Sequence, residues 1–372
     1  MKTMTGRERI TRIFQGKEVD RPSLKLWGFY PGQELLHPAY EPVVQKAAEL
    51  TDWFLPGPSP FDMVCGVNRE NIVRTEVRPV SDLWNEHIIS YETPLGKLQE
   101  KHLVSTVRAP GYITEHAVKT PEDMEKLLSI PYKPFPLDLE RYQRADEAAG
   151  DHGIALFDLD HAAYALQRLM GSELLALFSI DHRELLDRTI AVFSGRIISH
   201  ARTAIEAGLK GIFSWVGPEL FIPPLMAPGD FEDFAFKYDK PLCDMIHNSG
   251  GYVWMHCHGK VANFIDRFIE MGIDVINPLE PPKNGDVNLR LAAKKFKGRI
   301  GLEGNIEIQE IIQAEPEHLR QTIRSCVEAG KPSGRFILCP SAGYMEYPFP
   351  EPEYIRNLLI YLEEGFQMVK NT

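Results

Sequence analysis

The chain of 372 residues contains no run of eighteen or more apolar residues, so nothing in it reads as a membrane-spanning helix. Its start, "MKTMTGRERITRIFQG", lacks an apolar stretch followed by a small-residue cleavage site, and a soluble cytoplasmic protein is the expectation. Cysteine is scarce. Cys65, Cys243, Cys257, Cys326 and Cys339 are scattered and odd in number, with no C-x-x-C pair. That argues against a disulfide framework and leaves only single catalytic or metal-ligating roles for a thiol. Basic tracts are missing as well, and the formal net charge is −11, so nucleic acid is not an expected partner. Finally there is no G-x-S-x-G, H-E-x-x-H, G-x-x-x-x-G-K-[ST] or G-x-G-x-x-G, which leaves serine hydrolase, zincin, P-loop and Rossmann chemistry without a motif.

What is present is enough apolar sequence, 44% of residues, to bury a large core without help from metal or disulfide. From about residue 150 short apolar runs alternate with amphipathic segments, the pattern of repeated βα units. The strand candidates are "GIALFDLD" (153 to 160), "LKGIFSWV" (209 to 216), "YVWMHCHG" (252 to 259), "DVINPLE" (274 to 280), "GRIGLEGNI" (298 to 306) and "GRFILCPS" (334 to 341). Helical stretches between them, such as "KVANFIDRFIEMG" and "EPEHLRQTIRSCVEAG", close on glycines suited to a helix C-cap. With "SLKLWG" (23 to 28) and "TDWFLPG" (51 to 57) the strands number eight, which predicts an α/β fold, a (β/α)₈ TIM barrel spanning residues 1 to 372 as one domain. Between residues 70 and 118 the signal changes to alternating, turn-punctuated sequence around "TPLG" and predicts an antiparallel β excursion.

Barrel active sites lie at the carboxyl ends of the strands and in the loops that follow. The chemistry-bearing residues there are Asp158, Asp160, Glu219, His256, His258, Glu280, Glu303 with Asn305, and Cys339. Because strand side chains alternate, His256 and His258 share a face with Trp254, while Met255 and Cys257 point the other way. Cys257 is therefore expected to be a packing thiol. By the same alternation Gly301, Glu303 and Asn305 share one face, and a glycine there leaves room for a ligand or metal. Two imidazoles on one strand, a carboxylate or thiolate from a neighbour and an open position would make a catalytic zinc site. The plainer reading is that the two histidines are hydrogen-bonding residues at a strand end. Glu219, Glu280 and Glu303 likewise read either as ligands or as solvated loop and cap carboxylates. The prolines in "GPELFIPPL" and "PLEPPKNGD" stiffen the loops around Glu219 and Glu280.

In order along the chain, "TGRERITRIFQGKEVDRPSL", "SYETPLGKLQEK", "IEAGLKGIFSW", "HCHGKV", "MGIDVINPLE", "GLEGNIEI", "GRFILCPS" and "PFPEPEYIRN" resemble the uroporphyrinogen decarboxylase superfamily. The resemblance implies a (β/α)₈ barrel. It also implies one of two chemistries: cofactor-free decarboxylation of uroporphyrinogen, or zinc-dependent methyl transfer to or from a corrinoid protein. Decarboxylases of the family carry an Arg-Gln-Ala-Gly-Arg stretch after the first strand to grip a polycarboxylate. This chain has "LKLWGFYPGQELL" there, with no arginine between Arg21 and Arg69.

The methyltransferase branch usually shows His-x-Cys and a later cysteine as zinc ligands. His256 matches the first of these, His258 stands where the first cysteine would be, and the second would fall near Ala342, with Cys339 displaced by a turn of chain. The resemblance therefore implies a zinc held by His256, His258 and one of Cys339 or Glu303, with Glu280 and Glu219 as further candidates. Fewer thiolates would leave that zinc a stronger Lewis acid toward an oxygen donor. Asp158 or Asp160 would be an acid or an orienter of a ligating histidine. Trp27, Phe29, Tyr30, Phe61, Met63, Phe221 and Met226, in loops expected at the barrel mouth, would suit an aromatic methyl ether as donor, and would equally suit covering the mouth or a homodimer interface. With no D-x-H-x-x-G pattern in the chain, cobalamin would come on a partner corrinoid protein. The alternatives are a metal-independent decarboxylase and a non-catalytic barrel that binds a corrinoid protein or small ligand.

Overall fold

The computed structural model describes residues 3–107, 109–343 and 351–371. Twelve strands run in chain order: β1 Ser23–Leu24, β2 Trp53–Pro58, β3 Val73–Ser81, β4 Trp84–Thr93, β5 Gly96–Ser105, β6 Tyr112–Glu115, β7 Gly153–Asp158, β8 Ile212–Val216, β9 Tyr252–His256, β10 Val275–Leu279, β11 Gly301–Ile306 and β12 Phe336–Pro340. Eight of them form one parallel sheet in the order β1-β12-β11-β10-β9-β8-β7-β2. The sheet curls until its two edges meet, where Asp52 N donates to Leu24 O at 2.8 Å. This is the predicted barrel, with all eight predicted strands in place.

The floor of the barrel is closed by the first helix, Gly6–Phe14. Thr5 caps it, its hydroxyl accepting from Glu8 N at 3.1 Å. The helix turns Ile10, Ile13 and Phe14 inward against Ile154, Ile212, Val275 and Ile337. Here Gly301 finds its explanation: a Cβ on it would lie 2.7 Å from Val275 Cγ2 and 3.4 Å from Ile13 Cγ2. The expected room for a ligand is thus taken by the hydrophobic plug, because Gly301 starts its strand at the amino end of the barrel. The C-terminal helix, Pro352–Lys370, locks the seam between β1 and β12, where the Tyr361 hydroxyl contacts Lys25 O at 2.7 Å and Leu338 O at 3.1 Å.

The two glycine-closed helices end differently. Ile265–Met271 stops at Gly272, whose φ of +107° is the left-handed cap expected of it. Gly330 instead stays helical, and its missing side chain makes way for the Phe336 ring. The antiparallel excursion forms a separate sheet, β3-β4-β5-β6. Its "TPLG" turn joins β4 to β5, with Thr93 Oγ1 donating to Gly96 O at 2.6 Å. Among the described residues no helix is long and apolar enough to cross a membrane. All five cysteines are free and buried.

Candidate active site

The lumen is lined by alternate residues of each strand, and on β9 this places Trp254 and His256 inside while Met255 and Cys257 face the surrounding helices. Trp27, just past β1, stacks on Trp254 (5.5 Å between centroids, 16°) and on His256 (5.0 Å, 21°). Beneath these rings runs a chain of short polar contacts. Lys25 Nζ donates to Glu303 Oε1 at 2.8 Å, and Asn277 Nδ2 donates to the same oxygen at 2.8 Å. Trp254 Nε1 donates to Glu303 Oε2 at 2.7 Å. Asn277 Oδ1 lies 2.6 Å from His256 Nδ1. Since the Asn277 amide offers its NH₂ to Glu303, its carbonyl faces the imidazole. His256 must therefore carry its proton on Nδ1 and present a lone pair at Nε2. Burial, with smaller contributions from the charges of His258 and Lys25, pushes the His256 pKa down to about 3, so the ring is neutral near pH 7.

His258 extends the same face, its ring centroid 4.4 Å from that of His256 and its plane nearly perpendicular. Its Nδ1 meets Glu280 Oε1 at 3.0 Å, and Glu280 Oε2 accepts from Gly259 N at 2.6 Å. Burial works against an imidazolium here, but the bond to Glu280 and the charges of Glu280, Glu219 and Glu307 outweigh it and raise the pKa. Both imidazoles thus have Nδ1 tied to a fixed oxygen and Nε2 left over, the arrangement that proteins use to orient ligating histidines.

Two carboxylates flank the pair. Glu219 follows β8, accepts from Gly217 N at 3.1 Å, and has its pKa raised by burial against the opposing charges of His258 and His161. Glu307 follows β11. Its Oε2 accepts from Asn284 Nδ2 (3.1 Å) and Ser341 Oγ (3.2 Å), while its buried Oε1 has no hydrogen-bond partner. Two anchored imidazoles with an under-used carboxylate beside them suit a zinc ion in donor chemistry. Among the described residues no three such side chains are already gathered around one point. A third ligand would come by rotation of Glu219 or Glu307.

The remaining candidate ligands go elsewhere. Glu303 is fully buried with both oxygens committed to Lys25, Asn277 and Trp254, so it supports His256 rather than standing beside it. Cys339 faces Glu303, and burial pushes its thiol well above the ordinary value. Glu280 holds His258 Nδ1 with one oxygen and accepts from Gly259 N with the other, so both of its oxygens are engaged.

A cavity of about 380 Å³ opens beside the two stacked tryptophans, lined by Lys25, Trp27, Tyr30, Phe54, Asp158 and Trp254 among others. Phe29 also lines it, as expected. Phe61, Met63, Phe221 and Met226 do not: their loops fold them against the outer helices, Phe61 on the His200 ring (4.8 Å) and Phe221 on Phe234 (5.6 Å), with Met63 and Met226 in the core. Asp158 is held by Ser214 Oγ at 2.5 Å, and burial raises its pKa. Asp160 is exposed in the turn beyond, outside the cavity lining. Asn305 ties β11 to β10 through Nδ2 on Leu279 O (2.7 Å), also away from the cavity. Sequence reasoning missed Lys25 and Asn277. Alternation with Ser23 and Trp27 places Lys25 inside the barrel; Asn277 owes its role to sitting level with His256 in the register of β9 and β10.

The sequence profile of the uroporphyrinogen decarboxylase (URO-D) family matches residues 159–359, just over half of the chain. The chain belongs to that family. Within the uroporphyrinogen decarboxylase family, the enzyme of that name from Ralstonia pickettii (strain 12J) is 22% identical over 187 residues, a match covering 45% of this chain and 45% of that protein. A methyltransferase from Methanosarcina mazei shares the fold over 98% of this chain and 99% of its own, with a TM-score of 0.59 at 14% identity. The likeness of fold to that methyltransferase covers the regions before residue 159 as well.

Proposed function

We propose that this protein moves a methyl group from a small, neutral donor of the aromatic methyl ether type to the corrinoid of a separate protein, with zinc held by His256 and His258. The observation that carries this reading is the pair of imidazoles whose Nδ1 atoms are anchored on Asn277 and Glu280, leaving both Nε2 atoms for a metal. Zinc bound there would act as a Lewis acid on the donor's ether oxygen. Trp27, Tyr30, Phe54 and Trp254 supply a flat apolar cavity for the arene and exclude water from it. The methyl carbon would pass to the reduced corrinoid that the partner protein supplies, the electron pair of the broken C–O bond would stay on the donor oxygen, and the Asp158 carboxyl would hand that oxygen a proton. Burial keeps that carboxyl protonated to higher pH than an exposed aspartate.

Porphyrinogen decarboxylation fits less well. Among the described residues Lys25 is the one basic residue lining the cavity. Its ammonium is paired with Glu303 and ringed by Trp27, Phe54 and Trp254 at 4.5 to 4.6 Å, so it has no charge to spare for a polycarboxylate.

The test mixes zinc-loaded protein, reduced corrinoid protein and a panel of methoxyarenes, methylamines and methylthio compounds. The expected result is a phenol and a methylated corrinoid in equal amounts from a methoxyarene. Inertness toward the whole panel, or release of carbon dioxide from uroporphyrinogen instead, would overturn the reading.

A further inference from the structure

We propose that Lys25, Glu303 and Asn277 together position His256: the polarity of their hydrogen bonds decides which imidazole nitrogen carries the proton. The proposal rests on the reading above only for its consequence, a nitrogen free to bind metal; the arrangement itself stands on contacts within the chain. All four residues are nearly or completely buried, with Glu303 and Asn277 at 0% exposure and Lys25 and His256 at 5%, and each link is a direct contact between protein groups.

Each link has a fixed polarity. An ammonium only donates, so the Glu303 oxygen 2.8 Å from Lys25 is an acceptor. The same oxygen lies 2.8 Å from Asn277, which must therefore present its NH₂. Trp254 Nε1, which can only donate, occupies the second carboxylate oxygen and stops Glu303 from turning. Asn277 then has only its carbonyl for His256, and the 2.6 Å contact requires a proton on Nδ1. Turning the amide over would set two acceptors against each other at Glu303 in a buried site. A histidine free in water favours the opposite tautomer, with the proton on Nε2, so the chain imposes this one.

The experiment is imidazole ¹⁵N–¹H correlation spectroscopy on metal-free, labelled full-length protein. In the wild type His256 is expected to show a protonated Nδ1 and a lone-pair Nε2 as a single species. Asn277→Leu, close in size, removes the acceptor and is expected to shift the ring toward Nε2–H; Asn277→Asp, which still accepts, restores the wild-type pattern. Zinc affinity by chelator competition should fall about 10–100-fold in Asn277→Leu and stay near wild type in Asn277→Asp. A wild-type ring protonated on Nε2, or an Asn277→Leu ring unchanged from wild type, would overturn the inference. A protein with the expected tautomers that takes up no zinc would uphold this inference and sink the proposed function instead.

Discussion

Lys25→Met alone is expected to destabilise the fold by about 3–5 kcal/mol, the cost of leaving one member of a buried ion pair without its partner. Lys25 is 5% exposed and Glu303 0%, and their contact is 2.8 Å. The partner change should recover about 2 kcal/mol of that loss. In Lys25→Met with Glu303→Gln no charge remains inside the barrel; the glutamine carbonyl can accept from Trp254 and its NH₂ can donate to Asn277 once that amide turns over, so about one buried donor is left unsatisfied, at roughly 1–3 kcal/mol. Denaturant midpoints of the two single variants, the double variant and the wild type form the cycle that checks this. A Lys25→Met loss below about 1 kcal/mol would mean that the aromatic rings around the ammonium, rather than its carboxylate, hold the barrel interior together.

His256→Ala and His258→Ala are each expected to lower methyl transfer by about a thousandfold. The Lewis acid they would hold is worth several kcal/mol to the departing oxygen, and each 1.4 kcal/mol is about tenfold in rate. The two should differ in stability. His256 is buried in a stack with Trp27 and next to Trp254, and its loss opens a hole in the lumen. The His258 side chain is 39% exposed, so its removal should be nearly silent in stability while equally severe in rate. Asp160→Asn, exposed and outside the cavity lining, is the control expected to keep full activity. A His258→Ala variant with wild-type rate would leave His256 alone at the site and remove the metal from the mechanism.

The barrel was legible because each strand is a short apolar run between turn residues, and the alternation of "YVWMHCHG" alone sent both histidines to the lumen and Cys257 to the helices. What alternation cannot supply is which residues meet across the lumen. Lys25 and Glu303 are 278 residues apart, and Asn277 meets His256 through strand register rather than through any motif. For that reason Glu303 and Cys339, rightly placed on inward faces, were expected beside the histidines when Lys25 and Asn277 had already claimed Glu303. The loop aromatics divided for a similar reason. An apolar side chain in a loop over a barrel gains as much by turning into the helical layer as into the cavity, and Phe61, Met63, Phe221 and Met226 took the first course. The glycine pattern misled at Gly301, where the close approach of the Val275 side chain from the neighbouring strand accounts for the missing side chain.

Zinc content by plasma mass spectrometry is the most direct test, on wild type, His256→Ala and His258→Ala purified side by side and then incubated with zinc and desalted. The account predicts about one zinc per wild-type chain and far less in either variant, because each imidazole supplies one of the few donors in reach. A wild-type chain that retains no zinc, or variants that retain as much as the wild type, would contradict it.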